Sequence, residues 1–262
     1  MDLGLDGKRA LVLASSGGLG YATARVLAVE GADVVISSRD PGRVRDAGAR
    51  LTGETGRSVT ALVGDVSDAS DLASLVDGAV KALGGLDILV CNAGGPPPGT
   101  FADVDEDQWD LAYQLTLQSV VRSVRLALPH LREAGGGSIL VLASSSIKQP
   151  IPNLVLSNVF RPAVQALCKH LANELASDGV RVNVLSPGRV HTERIEQLDR
   201  ATAERERKSL DDVRAETIAA IPLGRLGEPQ EFGRMAAFLC SDAASYVTGA
   251  SVLVDGGLVK SL

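Results

Sequence analysis

The sequence is poor in the residues that build metal sites and disulfide frameworks. Its 262 residues include only three cysteines and three histidines. Cys91, Cys168 and Cys240 form no CxxC pair and no His-flanked set, which argues against both a zinc site and a disulfide scaffold. No apolar run approaches the ~18 residues that a membrane span needs, and the start, Met1-Asp2-Leu3-Gly4-Leu5-Asp6, lacks a basic segment with an apolar stretch behind it. No block of Lys and Arg offsets the formal charge of −6, so neither nucleic acid nor an anionic membrane is the expected partner. Internal repeats and low-complexity tracts are also missing. These absences leave a soluble, unprocessed, cytoplasmic protein as the expectation. One domain over 1–262 suffices, since 45% hydrophobic content supplies an ample core.

What is present is a rhythm. Short apolar runs rich in Val, Ile and Leu fall near 10–13, 33–37, 59–63, 86–90, 138–142, 180–185 and 251–254. Stretches with helical periodicity separate them, near 19–30, 41–52, 68–83, 108–133, 162–177 and 229–241. Strands that are apolar throughout belong to a parallel sheet covered on both sides. The pattern predicts an α/β, Rossmann-type doubly wound sheet of about seven strands with helices on both faces. Ser67 or Asp68 opens the third helix, Gly84-Gly85 closes it, and Gly31 ends the first. Pro162 reads as a first-turn proline that starts its helix. Residues 193–220 break the rhythm, being highly charged and poorly periodic, and form either a substrate lid or a solvated surface excursion.

The first apolar run leads into Ala14-Ser15-Ser16-Gly17-Gly18-Leu19-Gly20 and then directly into an amphipathic stretch. Glycines there let backbone approach a pyrophosphate, which sits on the N–H groups at the positive end of the helix. The second run ends at Ser37-Ser38, followed by Arg39. A dinucleotide without a 2′-phosphate is usually held at this place by an acid on the ribose hydroxyl. A hydroxyl and a guanidinium suit a 2′-phosphate instead, which favours NADP(H) over NAD(H). The alternative is that Arg39 is a solvated charge beginning the turn Asp40-Pro41-Gly42.

With Gly64-Asp65-Val66, Cys91-Asn92-Ala93-Gly94, Ser186-Pro187-Gly188 and Thr192 added, the chain resembles the short-chain dehydrogenase/reductase family, close to its 3-oxoacyl-(acyl carrier protein) reductase-like branch. The tail carries the likeness furthest, in 221–229, in Ser245-Tyr246-Val247-Thr248-Gly249 and in Val254-Asp255-Gly256-Gly257. The resemblance implies that Asp65 and Val66 border the adenine and that Asn92, with Ala93 and Gly94, underlies the ribose. It further implies that Pro187, Gly188, Val190 and Thr192 meet the nicotinamide side. Two motif positions depart from the family: Ala14 stands for the first glycine of the phosphate turn, and Cys91 for the first asparagine of Asn-Asn-Ala-Gly. An added methyl at Ala14 would weaken phosphate approach.

The larger departure is at the reaction centre. The family protonates a carbonyl oxygen with a Tyr, lowers that phenol's pKa and holds the ribose with a Lys, orients the substrate with a Ser, and positions a water with an Asn. By position these fall on Ser157, Arg161, Ser144 and Thr116, so only the serine is kept. Ser157 and Arg161 keep the i, i+4 spacing that places both on one helix face. An aliphatic hydroxyl is a far weaker acid than a phenol, and a guanidinium cannot shuttle a proton, although its fork binds ribose, carboxylate or oxyanion. Lys148, on the loop after Ser144, and His191, beside Thr192, are replacement candidates, each weighed against a solvated loop residue. Tyr113 is the nearest phenol, and its phase favours packing. His130 and His170 look like helix-end or helix-surface residues with no catalytic partners nearby in sequence.

Three functions compete on these residues. They are an NADP(H)-dependent oxidoreductase on a carbonyl or alcohol with a non-standard centre, a non-redox enzyme using the same cleft, and a non-catalytic nucleotide-binding subunit. The partner is a small-molecule substrate, walled on one side by Pro96-Pro97-Pro98-Gly99 unless that loop is only a rigid connector. The apolar surplus of 108–133, with Leu111, Leu115, Val120 and Val121 among its residues, predicts a homo-oligomer, dimer or tetramer.

Overall fold

The computed structural model describes residues 2–261. Seven strands, β1 (Arg9–Val12), β2 (Asp33–Ser38), β3 (Val59–Val63), β4 (Ile88–Cys91), β5 (Gly137–Leu142), β6 (Val180–Pro187) and β7 (Ser251–Val254), form one sheet in the order β3-β2-β1-β4-β5-β6-β7. Every neighbouring pair is parallel. Period-two alternation splits the apolar runs between two cores. Leu11, Leu89, Ile139 and Val141 face one side, under helices α3 (Ala69–Leu83), α5 (Ser119–Glu133) and α6 (Val155–Glu174). Val12, Val90, Leu140 and Leu142 face the other, under α1 (Gly18–Val29), α2 (Pro41–Thr55) and α9 (Pro229–Cys240). This is the doubly wound sheet that unbroken apolar runs call for.

Strand order reverses between β1 and β4, and at such a switch point the chains leaving the carboxyl ends of the strands open a crevice. The opposite end of the same two strands is clamped. Asp87 accepts from the Arg9 N–H and Nε at 2.8 Å each, and from Nη2 at 2.9 Å. Burial works to raise the Asp87 carboxyl, but these bonds and the Arg9 charge override it and hold the group below its ordinary range. Gly85 leaves room for the clamp, because a Cβ there would run into the Arg9 guanidinium.

Helix signals behave largely as the residues dictate. Asp68 caps α3 through Ser70 and Asp71, and Gly84 closes it at φ 74°. Three elements differ from expectation. The helix expected from 108 opens instead as α4 (Glu106–Ala112), where Asp105 and Gln108 form a capping box, and a π turn over Tyr113–Gln118 separates it from α5. Pro162 does not start its helix: α6 begins at Val155 and carries the proline in its interior. The lost backbone bond is tolerated because Leu156, Val164, Cys168 and Ala172 keep the helix seated on the sheet. The segment 193–220 is mostly helical, as α7 (Glu193–Glu206), capped by Thr192, and α8 (Leu210–Ala219), capped by Ser209. Among the described residues no helix is long and apolar enough to cross a membrane.

Candidate active site

After β1 the chain turns through Ala14, whose φ of 46° lies in the left-handed region. Bonds on both sides hold it there. Its N–H donates to Ser37 Oγ at 3.0 Å, and its carbonyl accepts from Asn92 Nδ2 at 2.8 Å. Ser15 completes the interlock, donating its hydroxyl to the Val12 carbonyl at 2.6 Å and accepting from the Ser37 N–H at 3.2 Å. The Ser15 hydroxyl is thus spent on shaping the turn. Gly20 is needed for this closeness, since a Cβ there would stand 2.7 Å from Asn92 Nδ2. Ser16, Gly17, Gly18 and Leu19 form the mouth. Gly17 caps α1 without any side-chain bond, so the first N–H groups of the helix face the groove uncapped. A backbone cradle with a helix dipole behind it fits a pyrophosphate.

At the carboxyl end of β2, Ser38 and Arg39 border the same groove. The Arg39 side chain is 78% exposed and lies 3.6 Å from Asp65 Oδ2. Burial tends to raise the Asp65 carboxyl, but the Ser67 hydroxyl and N–H, at 2.7 and 2.9 Å, together with Arg39 leave it lowered. Val66 points into the core, leaving its backbone to border the groove. Across the crevice Thr192 caps α7, and its Cγ2 is 3.7 Å from where a Cβ on Gly18 would stand. The fold therefore brings the phosphate turn and the segment after β6 together. Gly188 seats that segment, as a Cβ there would meet Asp255 at 2.6 Å, while Val190 is buried and bridges to Gly227.

Ser157 and Arg161 lie on one face of α6 and are both buried, 8% and 7% exposed. The Ser157 hydroxyl is turned to Ser146 Oγ at 3.2 Å, not to Ser144, which instead accepts from the Ser146 N–H at 3.2 Å. Arg161 Nη1 donates to the Leu142 carbonyl at 2.8 Å, and its Nε has no protein partner. Thr116, in the π turn, is likewise buried with an unpartnered hydroxyl. Both line a pocket of about 10 Å³ beside Asn92, Ser119 and Ser123. Burial, and then the charge of Arg194, bring the Arg161 pKa down to about 10, which leaves it a cation at neutral pH. Neither Arg161 nor Arg194 forms an ion pair among the described residues.

The replacement candidates stand apart from this centre. Lys148 is exposed at the end of a 3₁₀ turn, and the side chain of His191 is 58% exposed with Nε2 3.8 Å from Glu228. Neither hydrogen-bonds to Ser144, Ser157 or Arg161. Tyr113 packs against Phe160, ring centroids 6.1 Å apart. All three cysteines are buried thiols, and burial pushes Cys168 up to about 12. Among the described residues no three His, Cys, Asp or Glu gather to hold a metal ion.

Three residues of the site escaped the sequence. Arg43, in the first turn of α2, pairs with Glu193 of α7 at 2.8 Å. Arg194 donates to the Pro96 carbonyl at 2.7 Å, tying α7 to the loop after β4. Buried Asp199 accepts from Arg189 at 3.1 Å and anchors the same helix to the body. Only the spacing of two arginines about the 39–43 turn could have hinted at any of them.

A switch-point crevice with a glycine phosphate turn is the architecture of a dinucleotide-binding Rossmann fold. Residues 13–259 match the family model described as enoyl-(acyl carrier protein) reductase. The chain is 42% identical over 260 residues to dehydrogenase/reductase SDR family member 4 of Bos taurus, covering 98% of this chain and 89% of that one. L-Sorbose reductase from Gluconobacter frateurii, solved with NADPH and L-sorbose, superposes with a TM-score of 0.94 at 31% identity over the full length of both chains. An actinorhodin polyketide ketoreductase solved with NADPH gives 0.93 at 29% identity over 97% of each. The chain belongs to the short-chain dehydrogenase/reductase family.

Proposed function

We propose that this protein is an NADP(H)-dependent oxidoreductase acting on a carbonyl or alcohol, 3-oxoacyl reductase-like, whose centre works without the phenol–lysine pair. The observation that carries this is the phosphate turn, clamped by Asn92 and Ser37, with Arg39 standing where an acid would select NAD(H). The NADPH in the sorbose and polyketide reductase structures supports the same reading. The cofactor, when bound, supplies or accepts the hydride. Gly17, Gly18 and the first N–H groups of α1 would hold its pyrophosphate, Arg39 and Ser38 its 2′-phosphate, and Asn92 and Arg161 its ribose. Ser144 orients the substrate oxygen with its hydroxyl. Arg161 stabilises negative charge near that oxygen and moves no proton, because it stays protonated at neutral pH. Without a positioned acid the expected turnover lies ~10²–10⁴-fold below that of a centre with one.

A second reading, a nucleotide-binding subunit without turnover, draws on the Ser157 hydroxyl being turned to Ser146. Calorimetric titration with NADPH and NADH, followed by absorbance at 340 nm against a panel of ketones and alcohols, separates the two. Tight NADPH binding with substrate-dependent oxidation supports the oxidoreductase. Binding with no oxidation across the panel supports the subunit, and no binding of either nucleotide sinks both.

A further inference from the structure

We infer that the substrate of this centre carries a carboxylate in addition to the carbonyl or hydroxyl that reacts, and that Arg194 reads it, with Arg161 supplying a second positive charge. The inference rests on the oxidoreductase reading above and names the substrate class for it. The two guanidiniums come from different elements, Arg161 from α6 and Arg194 from the first turn of α7. Arg161 lines the pocket beside Asn92, and Arg194 lies against Gly95 and Pro96, on the loop that Asn92 opens. Each is held by a single backbone carbonyl, Leu142 for Arg161 at 2.8 Å and Pro96 for Arg194 at 2.7 Å. A carbonyl dipole orients a guanidinium without cancelling its charge.

Arg161 is buried with its Nε unpartnered, and Arg194 is half-buried. Burial lowers the pKa of both, yet at about 10 Arg161 stays a cation at neutral pH. The other charge acting on Arg161 is that of Arg194, so each makes the other's position worse. The acids of α7 offer no relief: Glu193 pairs with Arg43, Asp199 pairs with Arg189, and Glu196 is exposed. Buried charges are ordinarily paired. A site with two cations and no anion is completed by a ligand that brings one. The nucleotide's phosphates are a poor fit to that role, because the glycine turn meets the segment after β6 at Thr192, whereas Arg194 is turned to the loop after β4. Gly95 keeps the place open, since a Cβ there would stand 2.9 Å from Arg194 Nε. Pro96 takes one Nη2 proton, leaving the rest of the fork for the two oxygens of a carboxylate.

The test is calorimetric titration of the wild type, Arg194→Gln and Arg194→Lys, each saturated with NADP⁺, thermal melting confirming the fold of each. The probes are 2-oxobutanoate, 3-oxobutanoate and 4-oxopentanoate, each against its methyl ester. The wild type is expected to bind at least one acid roughly tenfold or more tighter than its ester. Arg194→Gln is expected to lose that preference, and Arg194→Lys to recover part of it, because an ammonium keeps the charge without the fork. With NADPH in place of NADP⁺, absorbance at 340 nm should rank the same acid above its ester in kcat/KM. Equal binding of every acid and its ester, or no acid bound, would overturn the inference, and reduction of the esters would then leave the oxidoreductase reading standing. A preference that survives in Arg194→Gln would also overturn it. So would NADPH binding weakened as much as acid binding, which would place Arg194 on the cofactor. A wild type that binds neither nucleotide removes the basis of both readings, and is recognised before any acid is added.

Discussion

An alanine held at φ 46° beside a phosphate groove stores strain that glycine would not. The left-handed region costs an L-residue about 1–2 kcal/mol, and glycine gives back about 0.5–1 kcal/mol through the freedom of its unfolded chain. Ala14→Gly is expected to stabilise the protein by roughly 0.5 kcal/mol in urea unfolding. It is also expected to tighten NADPH binding, read by calorimetry. At the reaction centre, Ser157→Tyr combined with Arg161→Lys replaces an aliphatic hydroxyl with a phenol and a guanidinium with an ammonium. On any carbonyl the wild type reduces, kcat is expected to rise ~10²-fold or more. An unchanged kcat in a folded double variant would mean that a missing acid is not what limits the rate. Ser144, Ser157, Arg161 and Asn92 were legible in the sequence because motifs fix their place relative to strand ends. Arg43 and Asp199 were not, because each looks like one more charge on a solvated helix until a partner 150 or 10 residues away is seen beside it.

Elements repeat this division. Helices with an apolar stripe were visible, whereas α7 and α8 bury only Asp199 and Val213 respectively and so carry no period to read. The π turn was invisible for another reason: one extra residue per turn leaves no punctuation in the sequence. Asp199→Ala removes the acid that accepts from Arg189. A loss of about 2 kcal/mol is expected, with trypsin cutting within 193–219 faster than in the wild type. Strands β1 and β4 depend on the Arg9–Asp87 clamp. Because the folded Asp87 carboxyl is held below its unfolded value of about 3.9, its contribution is complete above about pH 4 and is lost as pH falls through the folded value. Asp87→Asn is expected to cost about 2 kcal/mol at neutral pH. Urea titrations should show that deficit shrinking toward pH 2–3, and a deficit constant with pH would refute the ionic origin of the clamp.

Across the whole molecule, apolar runs announced a parallel sheet of seven strands but not their order, since each run reads alike and only β1 lying between β2 and β4 creates the crevice. The surface retains large apolar side chains on the π-turn and α6 side, with Leu111, Tyr113 and Val159 all exposed. Exposed side chains of this kind would suit a contact surface, and a homo-oligomer is the state to be tested. Val159→Asp is expected to lower the mass seen by light scattering without lowering helix content, whereas a wild type of monomeric mass would remove the basis for the prediction. The Asn92 side chain that grips the Ala14 carbonyl is 78 residues further along the chain. A ribosome that has delivered everything through β3 has therefore exposed the entire phosphate turn and its arginines, but not the hand that closes on them. The turn is therefore held in its closed form only once β4 has joined the sheet beside β1.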